Sequence, residues 1–327
     1  IESIQFLTNF FTKTIHARKD ELIMGNKTLA AQVSMVIVTL MWAAGYITAK
    51  MALDGGMTPN VYTSFRFCGA ALVMALVFHK NLLRADKKTI KAGIYIGLAA
   101  GIAYVIQNIG LNMTTASKAG FLTGLYIVLV PIFDCTLKHI LPKKNEVIGI
   151  SVATIGLAVL SLNANFSIGL GDILVFISSV FFAISIVMIG HFAGDQDPIA
   201  LSVIQTIVIG LMGLLLAVAT EPAPKAEIFN GTMIFLVLYA IFFNCALNTI
   251  VQNVAQSLIS PTAAALILVL EPVFSGIFAF FLLHEPLGIK ELTGSGMIIT
   301  GMLVTLLYKP QKKRSALKKH HSLTATE

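Results

Sequence analysis

The chain has 327 residues, of which 56% are hydrophobic and 12% are charged, and its mean hydropathy is +0.84. A soluble domain of this composition would expose far too much apolar surface, so the composition excludes a soluble globular protein and indicates a membrane protein. The net charge of +7 is not evidence for nucleic-acid binding, because the placement of the basic residues is typical of membrane topology.

Ten apolar stretches have about the 20 residues needed to cross about 30 Å of hydrocarbon, and we predict a transmembrane helix at each. In chain order they lie at 31–51, 60–79, 91–112, 118–139, 146–163, 169–190, 199–219, 231–254, 262–283 and 289–308. The connections between them are short, so we expect no separate soluble domain.

The basic residues predict the orientation of these spans. Lysines and arginines cluster after the second, fourth and tenth spans, and 18 of the 23 lie on one side if both termini are cytoplasmic. Because Lys-rich and Arg-rich loops stay inside, we expect a multi-pass protein of the cytoplasmic (inner) membrane with both termini in the cytoplasm. The predicted organisation is a cytoplasmic extension at 1–26, two halves at 27–165 and 166–308, and a basic cytoplasmic tail at 309–327.

The two halves repeat the same landmarks in the same order. Val105–Ile109 in the first half corresponds to Ile250–Val254 in the second, and Pro59 corresponds to Pro198. Likewise, Pro131 corresponds to Pro272, and the pair Gly149 and Gly156 corresponds to the pair Gly294 and Gly301. Each half has an odd number of spans, so the second must run through the bilayer in the opposite direction. Many secondary transporters use such inverted repeats to place two gates around one midplane site. The predicted fold is therefore all-α, with ten transmembrane helices as two inverted five-helix repeats around a central cavity.

Among the charged residues of the predicted spans, Glu271 and Arg66 are the two candidates for a functional role. Glu271 lies about 13 Å along the ninth span, where a carboxylate costs on the order of 2.5–3.5 kcal/mol. One interpretation is that Glu271 binds a substrate ammonium group or a proton, on a helix that Pro272 loosens. The alternative is that it serves as a structural carboxylate. Arg66 either anchors an anionic substrate group, balances Glu271 or has a structural role, and its counterpart in the second half is the neutral Gln205.

Amide side chains recur on the third and eighth spans. Asn244, Asn248 and Gln252 are spaced by four and so form one stripe on a helix. The third span carries a comparable stripe of Tyr104, Asn108 and Asn112, with Gln107 on its flank. Such amides often join neighbouring helices, but two stripes at corresponding positions predict a shared polar cavity.

The wall of that cavity is also predicted to include Trp42 and Tyr46 of the first span, the alternative being simple packing. The complete set of predicted substrate-binding residues is Trp42, Tyr46, Arg66, Tyr104, Gln107, Asn108, Asn244, Asn248, Gln252, Asn253 and Glu271. Glu271 is in addition the predicted coupling residue.

The sequence contains no phosphate-binding glycine-rich loop, no nucleophile elbow and no cluster of metal-ligating residues. Cys68, Cys135 and Cys245 lie inside spans without metal-type spacing. We therefore predict no enzyme activity, no catalytic residue, no metal and no cofactor.

Several short motifs occur together in this ten-span frame. They are Leu40-Met41-Trp42-Ala43, Pro59 followed by Arg66-Phe67, Thr115–Gly124, Gly171-Asp172, Leu270–Phe274, Leu283-His284-Glu285-Pro286, and the pair Gly294 and Gly301. In these motifs the chain resembles the EamA-type members of the drug/metabolite transporter superfamily across residues 27–308. The resemblance implies ten helices in two inverted halves, a central cavity and alternating access. It also implies export, or less often import, of small metabolites such as amino acids, their analogues or drugs, usually coupled to protons.

The chain departs from that family in one loop. The family often has an acidic residue after the fourth span, matching Glu285 in the second half, whereas this chain has Leu141-Pro142-Lys143-Lys144. The spacings Pro131–Gly149 and Pro272–Gly294 further predict that the first half is about four residues shorter there. A gate role for this loop is not expected.

The predicted function is secondary active transport of small polar metabolites across the cytoplasmic membrane by alternating access, in the direction of export. A nucleotide-sugar or sugar-phosphate antiporter is disfavoured, because phosphates need several basic groups and only Arg66 lies well inside a span, away from its ends. The alternative from another class is a non-transporting membrane scaffold. The expected partners are a small-molecule substrate, the lipid bilayer and protons, without nucleic acid, and the chain is expected to act as a monomer or a homodimer.

Overall fold

The computed structural model describes residues 2–114, 116–161, 168–283 and 288–307. Within these ranges, only the backbone is described at 2–25, 46, 116–118, 161, 279–280 and 282–283. Every regular element in these residues is a helix. The predicted tail at 309–327, the His284-Glu285-Pro286 motif and the side chain of Tyr46 therefore lie outside the described part of the chain.

The helices of the first half form seven segments. They are α1 (Glu2–Asp54), α2 (Pro59–Val77), α3 (His79–Arg84), α4 (Lys87–Met113), α5 (Ala116–Gly124), α6 (Tyr126–Lys138) and α7 (Lys144–Ser161). The second half contains α8 (Leu170–Phe192), α9 (Pro198–Thr220), α10 (Gly231–Tyr239), a π-helical segment (Ala240–Leu247), α11 (Asn248–Gln256), α12 (Pro261–Leu268), α13 (Glu271–Leu283) and α14 (Ile289–Leu307). A short 3₁₀ turn, Ala226–Ile228, precedes α10.

Each of the ten predicted spans coincides with one helix or with consecutive helical segments. The fourth span is α5 and α6, the eighth runs from α10 through the π-helical segment to α11, and the ninth is α12 and α13. Eight helical stretches in the described residues are long and apolar enough to cross a membrane, and α7 and α14 are not among them. The protein is thus an all-α membrane protein, while the count of ten spans and their inverted arrangement stay predictions.

Carboxylates at both ends of α9 join it to α2, which runs antiparallel to it, and to α3. Glu221, just after α9, accepts hydrogen bonds at 2.9 Å from the backbone N–H groups of Asn60 and Val61 in the first turn of α2. Asp197 caps the start of α9 through the Ile199 N–H, also at 2.9 Å, and accepts a bond from Asn81 in α3. Carboxylates suit these positions, because the first N–H groups of a helix have no internal partner. We call the two ends of the bundle the Glu221 face and the Asp197 face.

Repeated glycines allow α7 and α14 to pack closely. A Cβ atom built on Gly301 would lie 2.4 Å from the carbonyl oxygen of Gly149, and one on Gly156 would lie 2.7 Å from that of Gly294. Such distances leave no room for a side chain, so the backbones touch as they do in other helix pairs with small-residue seams.

The helix boundaries correct one prediction. α13 begins 145 positions after α6, and α14 begins 145 positions after α7. The first half is therefore not shorter in this region, and Pro131 and Pro272 are not equivalent, since Pro131 lies inside α6 and Pro272 directly follows the start of α13. The counterpart of Glu271 is consequently Tyr126 rather than Val130. Pairing these two prolines predicts the wrong alignment of the halves, because a proline in a loosened helix can lie inside the helix or at its start.

Candidate functional site

A cavity lies between the two halves of the chain. Its wall consists of Trp42, Gly45, Ala49, Arg66, Tyr104, Gln107, Asn108, Leu111, Thr123, Tyr126, Phe182, Ile186, Asn244 and Glu271. The wall reaches Leu111, close to the end of α4, and so extends from mid-helix towards the Glu221 face. A few polar groups on a mostly apolar wall are typical of small-molecule sites.

Irregular helix geometry positions four of these residues. The break between α5 and α6 at Leu125 lies between Thr123 and Tyr126, and Glu271 directly follows the break between α12 and α13. Asn244 lies within the π-helical segment. Irregular turns inside long helices are frequent at functional sites, because they redirect side chains that a regular helix would point elsewhere.

Arg66 lies in the cavity wall with its guanidinium group among aromatic rings. Its Cζ atom is 4.8 Å from the ring centroids of Tyr62 and Phe67 and 5.0 Å from that of Tyr104. The residue is only 5% exposed, and its Nε atom has no hydrogen-bond partner. Because cation–π contacts attract a cation without neutralising it, Arg66 keeps a full positive charge next to the cavity.

Glu271 supplies the negative charge of the cavity. It is the first residue of α13 and is partly buried. In the part of the chain that the structure describes, its side chain makes no ion pair or hydrogen bond, and it does not pair with Arg66. The two opposite charges therefore face the same space without a salt bridge between them, which leaves both available to a solute.

The amides of α4 contribute to the wall and also join helices. Asn108 donates a hydrogen bond from Nδ2 to the hydroxyl of Thr63 at 2.7 Å, and Gln107 donates from Nε2 to that of Thr123 at 3.1 Å. Each has its carbonyl oxygen left as an acceptor, since only the amide nitrogen is used in these bonds. These residues thus combine the two roles considered for them, polar wall and interhelical contact.

The predicted stripe on the eighth span is divided. Asn244 lines the cavity, whereas Asn248 is fully buried behind it and donates to the carbonyl oxygen of Val38 at 3.3 Å. The reason is the π-helical segment, whose i→i+5 bonding changes the phase between the two residues. Asn253 also lies outside the wall and donates to Gln205 at 3.3 Å. On α4, Asn112 is exposed and not part of the wall.

A second, much smaller space adjoins the cavity, and we call it the Gln205 chamber. Its wall consists of Trp42, Ala100, Tyr104, Phe182, Ser185, Ile186, Ile189, Gln205, Ile209, Thr249 and Gln252. Ile189 is close to the end of α8, so this chamber extends towards the Asp197 face. Gln252, a predicted binding residue, lies here rather than in the main cavity.

Sequence reasoning missed several wall residues. Phe182 and Ile186 are apolar residues in an apolar span, so nothing in the sequence distinguishes them. Gly45 does have a structural signal, because a Cβ atom there would lie 1.5 Å from Nδ2 of Asn244. The glycine thus gives the amide its place in the wall. Among the described residues, no group of three or more His, Cys, Asp or Glu side chains could hold a metal ion.

These features define a polytopic helical membrane protein with a polar, charged cavity built from both halves of the chain. The EamA-like transporter family matches residues 29–162 and again residues 169–307, and the chain belongs to that family. It is therefore a membrane transporter by family.

The curated relatives agree with this assignment. An uncharacterized transporter of Archaeoglobus fulgidus is 34% identical over 86% of this chain and 88% of that protein. The uncharacterized transporter YoaV of Bacillus subtilis is 23% identical over 85% of this chain and 97% of that protein. A protein of known crystal structure, 16% identical, aligns with a TM-score of 0.71 over 85% of this chain and 96% of that chain, which supports the fold alone.

Proposed function

We propose that the protein is a secondary active transporter that exports small polar metabolites, such as amino acids, their analogues or drugs, across the cytoplasmic membrane by alternating access. The observation that carries this proposal is the cavity in which Arg66 and Glu271 face the same space without pairing. A charge in the middle of a membrane protein is costly, so unpaired charges of both signs favour a site for a polar solute.

The inverted repeat is supported by helix positions and by glycine contacts. Gly149 meets Gly301 and Gly156 meets Gly294 across α7 and α14. Gly294 is the counterpart of Gly149, and Gly301 is the counterpart of Gly156, each 145 positions later. Exchanging the two halves therefore converts the Gly149–Gly301 contact into the Gly156–Gly294 contact. A pseudo-two-fold axis between the halves produces that pattern, and alternating access by rocking of the halves follows from it.

Different wall residues bind different groups of the solute. In this proposal Arg66 binds an anionic group of the solute, and Glu271 binds an ammonium group or a proton. Gln107, Asn108 and Asn244 provide neutral donors and acceptors, which suits a small zwitterion better than a phosphorylated sugar. Among the described residues, Arg66 is the one basic residue in the cavity wall, whereas phosphates usually need several donors.

The topology is supported by the loop charges. At the Asp197 face, Lys80 lies in α3, and Lys87 and Lys91 lie in the first turns of α4. With that face in the cytoplasm, the cavity extends towards the external side. Loading from the cytoplasm then requires a second conformation in which the wall opens towards the Asp197 face.

Counterflow of radiolabelled solutes into proteoliposomes tests this function, using a panel of amino acids and nucleotides with and without a pH gradient. We expect exchange of at least one zwitterionic solute and stimulation by the gradient. Glu271→Gln is expected to abolish the stimulation, while Glu227→Gln, which neutralises an exposed carboxylate in a loop, leaves it intact. Unchanged transport by Glu271→Gln at every pH would exclude proton coupling at this residue. Absence of flux across the whole panel would favour a scaffold.

A further inference from the structure

A polar groove lies where α7 and α12 begin and α14 ends, and we call it the Lys143 groove. Its volume is about 340 Å³, which is within the range of small-molecule sites. A Cβ atom built on Gly190, near the end of α8, would lie 2.6 Å from Cγ of Pro261, the first residue of α12. The groove therefore belongs to the Asp197 face. It shares no wall residue with the cavity or with the Gln205 chamber.

Thr262 provides two hydrogen-bond donors at the wall of this groove. The residue is only 5% exposed, and its hydroxyl forms no hydrogen bond with another described residue. Its backbone N–H lies in the first turn of α12, where a helix supplies no partner. Leaving a buried polar group unpaired is costly, and the start of a helix favours negative charge. The two donors therefore indicate a ligand with an anionic oxygen.

One charge of each sign also lines the groove. Nζ of Lys143 lies 3.7 Å from Oε1 of Glu146, and the two side chains are 67% and 19% exposed. The other carboxylate oxygen, Oε2, accepts a hydrogen bond at 2.9 Å from the backbone N–H of Lys143, which fixes the carboxylate at the start of α7. A separation of 3.7 Å is too long for a hydrogen bond, so both charges can still bind a ligand. In the described part of the wall the two charges cancel, and a ligand with a single negative charge would be attracted by one and repelled by the other.

The surface beside the groove is apolar. On α1, Leu29 and Val33 are exposed, and each directly follows a residue of the wall. On α7, Val147 and Ile148 are exposed and directly follow the wall residue Glu146. These side chains lie further along their helices than the polar groups, and hence deeper in the bilayer. A polar groove that ends on apolar surface in this way suits a headgroup with acyl chains attached.

We propose that the Lys143 groove binds the headgroup of an aminophospholipid, in which a short ethylene link joins a phosphate to a primary ammonium group. The phosphate lies against Lys143 and the donors of Thr262, the ammonium group lies against Glu146, and the acyl chains cover the apolar surface of α1 and α7. Both charges of the wall are then matched by a charge of the ligand. Phosphatidylglycerol has the phosphate without the ammonium group, so Glu146 would repel it.

Native mass spectrometry of the full chain in detergent tests this site, because it separates protein with one bound lipid from lipid-free protein. Delipidated protein is titrated with phosphatidylethanolamine, phosphatidylglycerol and phosphatidylcholine that have identical acyl chains. Glycerophosphoethanolamine, which is the same headgroup without acyl chains, is the fourth probe. The measured quantity is the Kd of the first bound molecule.

We expect phosphatidylethanolamine to bind about five times more tightly than phosphatidylglycerol, which corresponds to about 1 kcal/mol and is the upper end for a partly exposed ion pair. Phosphatidylcholine should also bind more weakly, because its trimethylated nitrogen has no N–H to donate to Glu146. Glycerophosphoethanolamine should bind at least about ten times more weakly than the intact lipid, since it lacks the chains that cover the apolar surface.

Glu146→Gln tests the selectivity. The amide keeps the acceptor for the N–H of Lys143, as Gln does in a capping box, but it removes the negative charge. We expect this variant to bind phosphatidylglycerol as tightly as phosphatidylethanolamine. Asp195→Asn neutralises an exposed carboxylate at the same face outside the groove and should leave the preference intact.

Two further variants test the phosphate contacts. Lys143→Gln should weaken both phosphatidylethanolamine and phosphatidylglycerol about fivefold, whereas Lys144→Gln, at the next and equally charged residue outside the groove, should have little effect. Thr262→Val removes only the hydroxyl, so it should weaken all three lipids alike and leave their order unchanged. The lipid-free variants must keep the unfolding midpoint of the unchanged protein.

Three results would overturn the proposal. Equal affinity of the unchanged protein for phosphatidylethanolamine and phosphatidylglycerol, or a preference that Glu146→Gln retains in full, would exclude an aminophospholipid. Equal effects of Lys143→Gln and Lys144→Gln would mean that lipid binds elsewhere. Binding of glycerophosphoethanolamine as tight as that of the lipid would make the groove a site for a soluble phosphoester. The titrations need no transported solute, so their outcome is independent of the counterflow experiment.

Discussion

The glycine contact between α7 and α14 gives a quantitative test of the fold. A Cβ atom added by Gly301→Ala would lie 2.4 Å from the carbonyl oxygen of Gly149 and 2.7 Å from the backbone nitrogen of Ala153. Ordinary van der Waals contact is about 3.5 Å or more, so the helices must separate locally by roughly 1 Å. Overpacking of this kind typically costs about 1–3 kcal/mol.

Gly296→Ala is the matched control on the same helix. A Cβ atom at Gly296 meets nothing within 4 Å, so the change only improves helix propensity and should be neutral or stabilise the protein by up to about 1 kcal/mol. Thermal unfolding in detergent measures both variants. We expect the midpoint to fall by roughly 2–6 °C for Gly301→Ala and to stay the same or rise for Gly296→Ala.

Equal midpoints for the two variants would refute the close packing of α7 and α14. The double variant Gly149→Ala with Gly301→Ala adds a stricter criterion. Both substitutions separate the same pair of backbones, so their effects should be less than additive. Full additivity would mean that the two glycines do not share a contact.

Three further predictions concern hydrogen bonds. Asn108→Ala removes the 2.7 Å bond to Thr63, and a double-mutant cycle with Thr63→Val should give a coupling energy of about 0.6–2 kcal/mol in thermal or denaturant unfolding. Glu221→Ala removes the acceptor at the start of α2 and should lower stability by about 1.5–3 kcal/mol, as is usual for bonds to a charged group. Hydrogen bonds from the hydroxyl and the N–H of Thr89 lower the pKa of Asp86, which lies between α3 and α4. A lowered carboxyl pKa stabilises the folded state above the unfolded pKa of about 3.9, and the benefit is lost as pH falls through the folded pKa. Asp86→Asn should therefore reduce the loss of stability in unfolding midpoints measured from pH 5 down to pH 3.

Each of these has a control in the same region. Asn112→Ala changes an exposed amide on α4 and should have no measurable effect, and Glu227→Ala does the same for an exposed carboxylate near α10. A coupling energy of zero between Asn108 and Thr63 would contradict the first prediction. Equal stability of the Glu221 and Glu227 variants would contradict the second, and the same acid sensitivity with and without Asp86 would contradict the third.

The sequence predicted the long helices well but not their irregularities. An apolar stretch of 20 residues is visible in composition alone, because the bilayer requires it. The break at Leu125 and the π-helical segment Ala240–Leu247 lie within such stretches, and their residues are as apolar as the neighbouring turns. Their geometry depends on packing between helices, which a single sequence does not contain.

The same distinction applies to the site. Arg66, Glu271 and Asn244 could be found because charged and amide groups are costly in a span and therefore conspicuous. Asn248 has the same chemistry but lies behind the wall, since the phase of the helix changes just before it. Residue type thus predicted candidates for the site, and helix geometry decided which of them share a space.

The difference between the halves is more informative about function than their likeness. A duplicated scaffold with identical halves would offer a solute the same groups from both faces of the membrane. Here Arg66 is matched by Gln205, and Glu271 is matched by Tyr126. Both charges consequently belong to the cavity that extends towards the Glu221 face, and neither belongs to the Gln205 chamber. In the proposed transport cycle, a solute that carries charge therefore meets different groups on the two faces. In a transporter driven by a gradient, weaker binding on one face changes the concentration at which the carrier saturates there, while the gradient sets the direction of net flux.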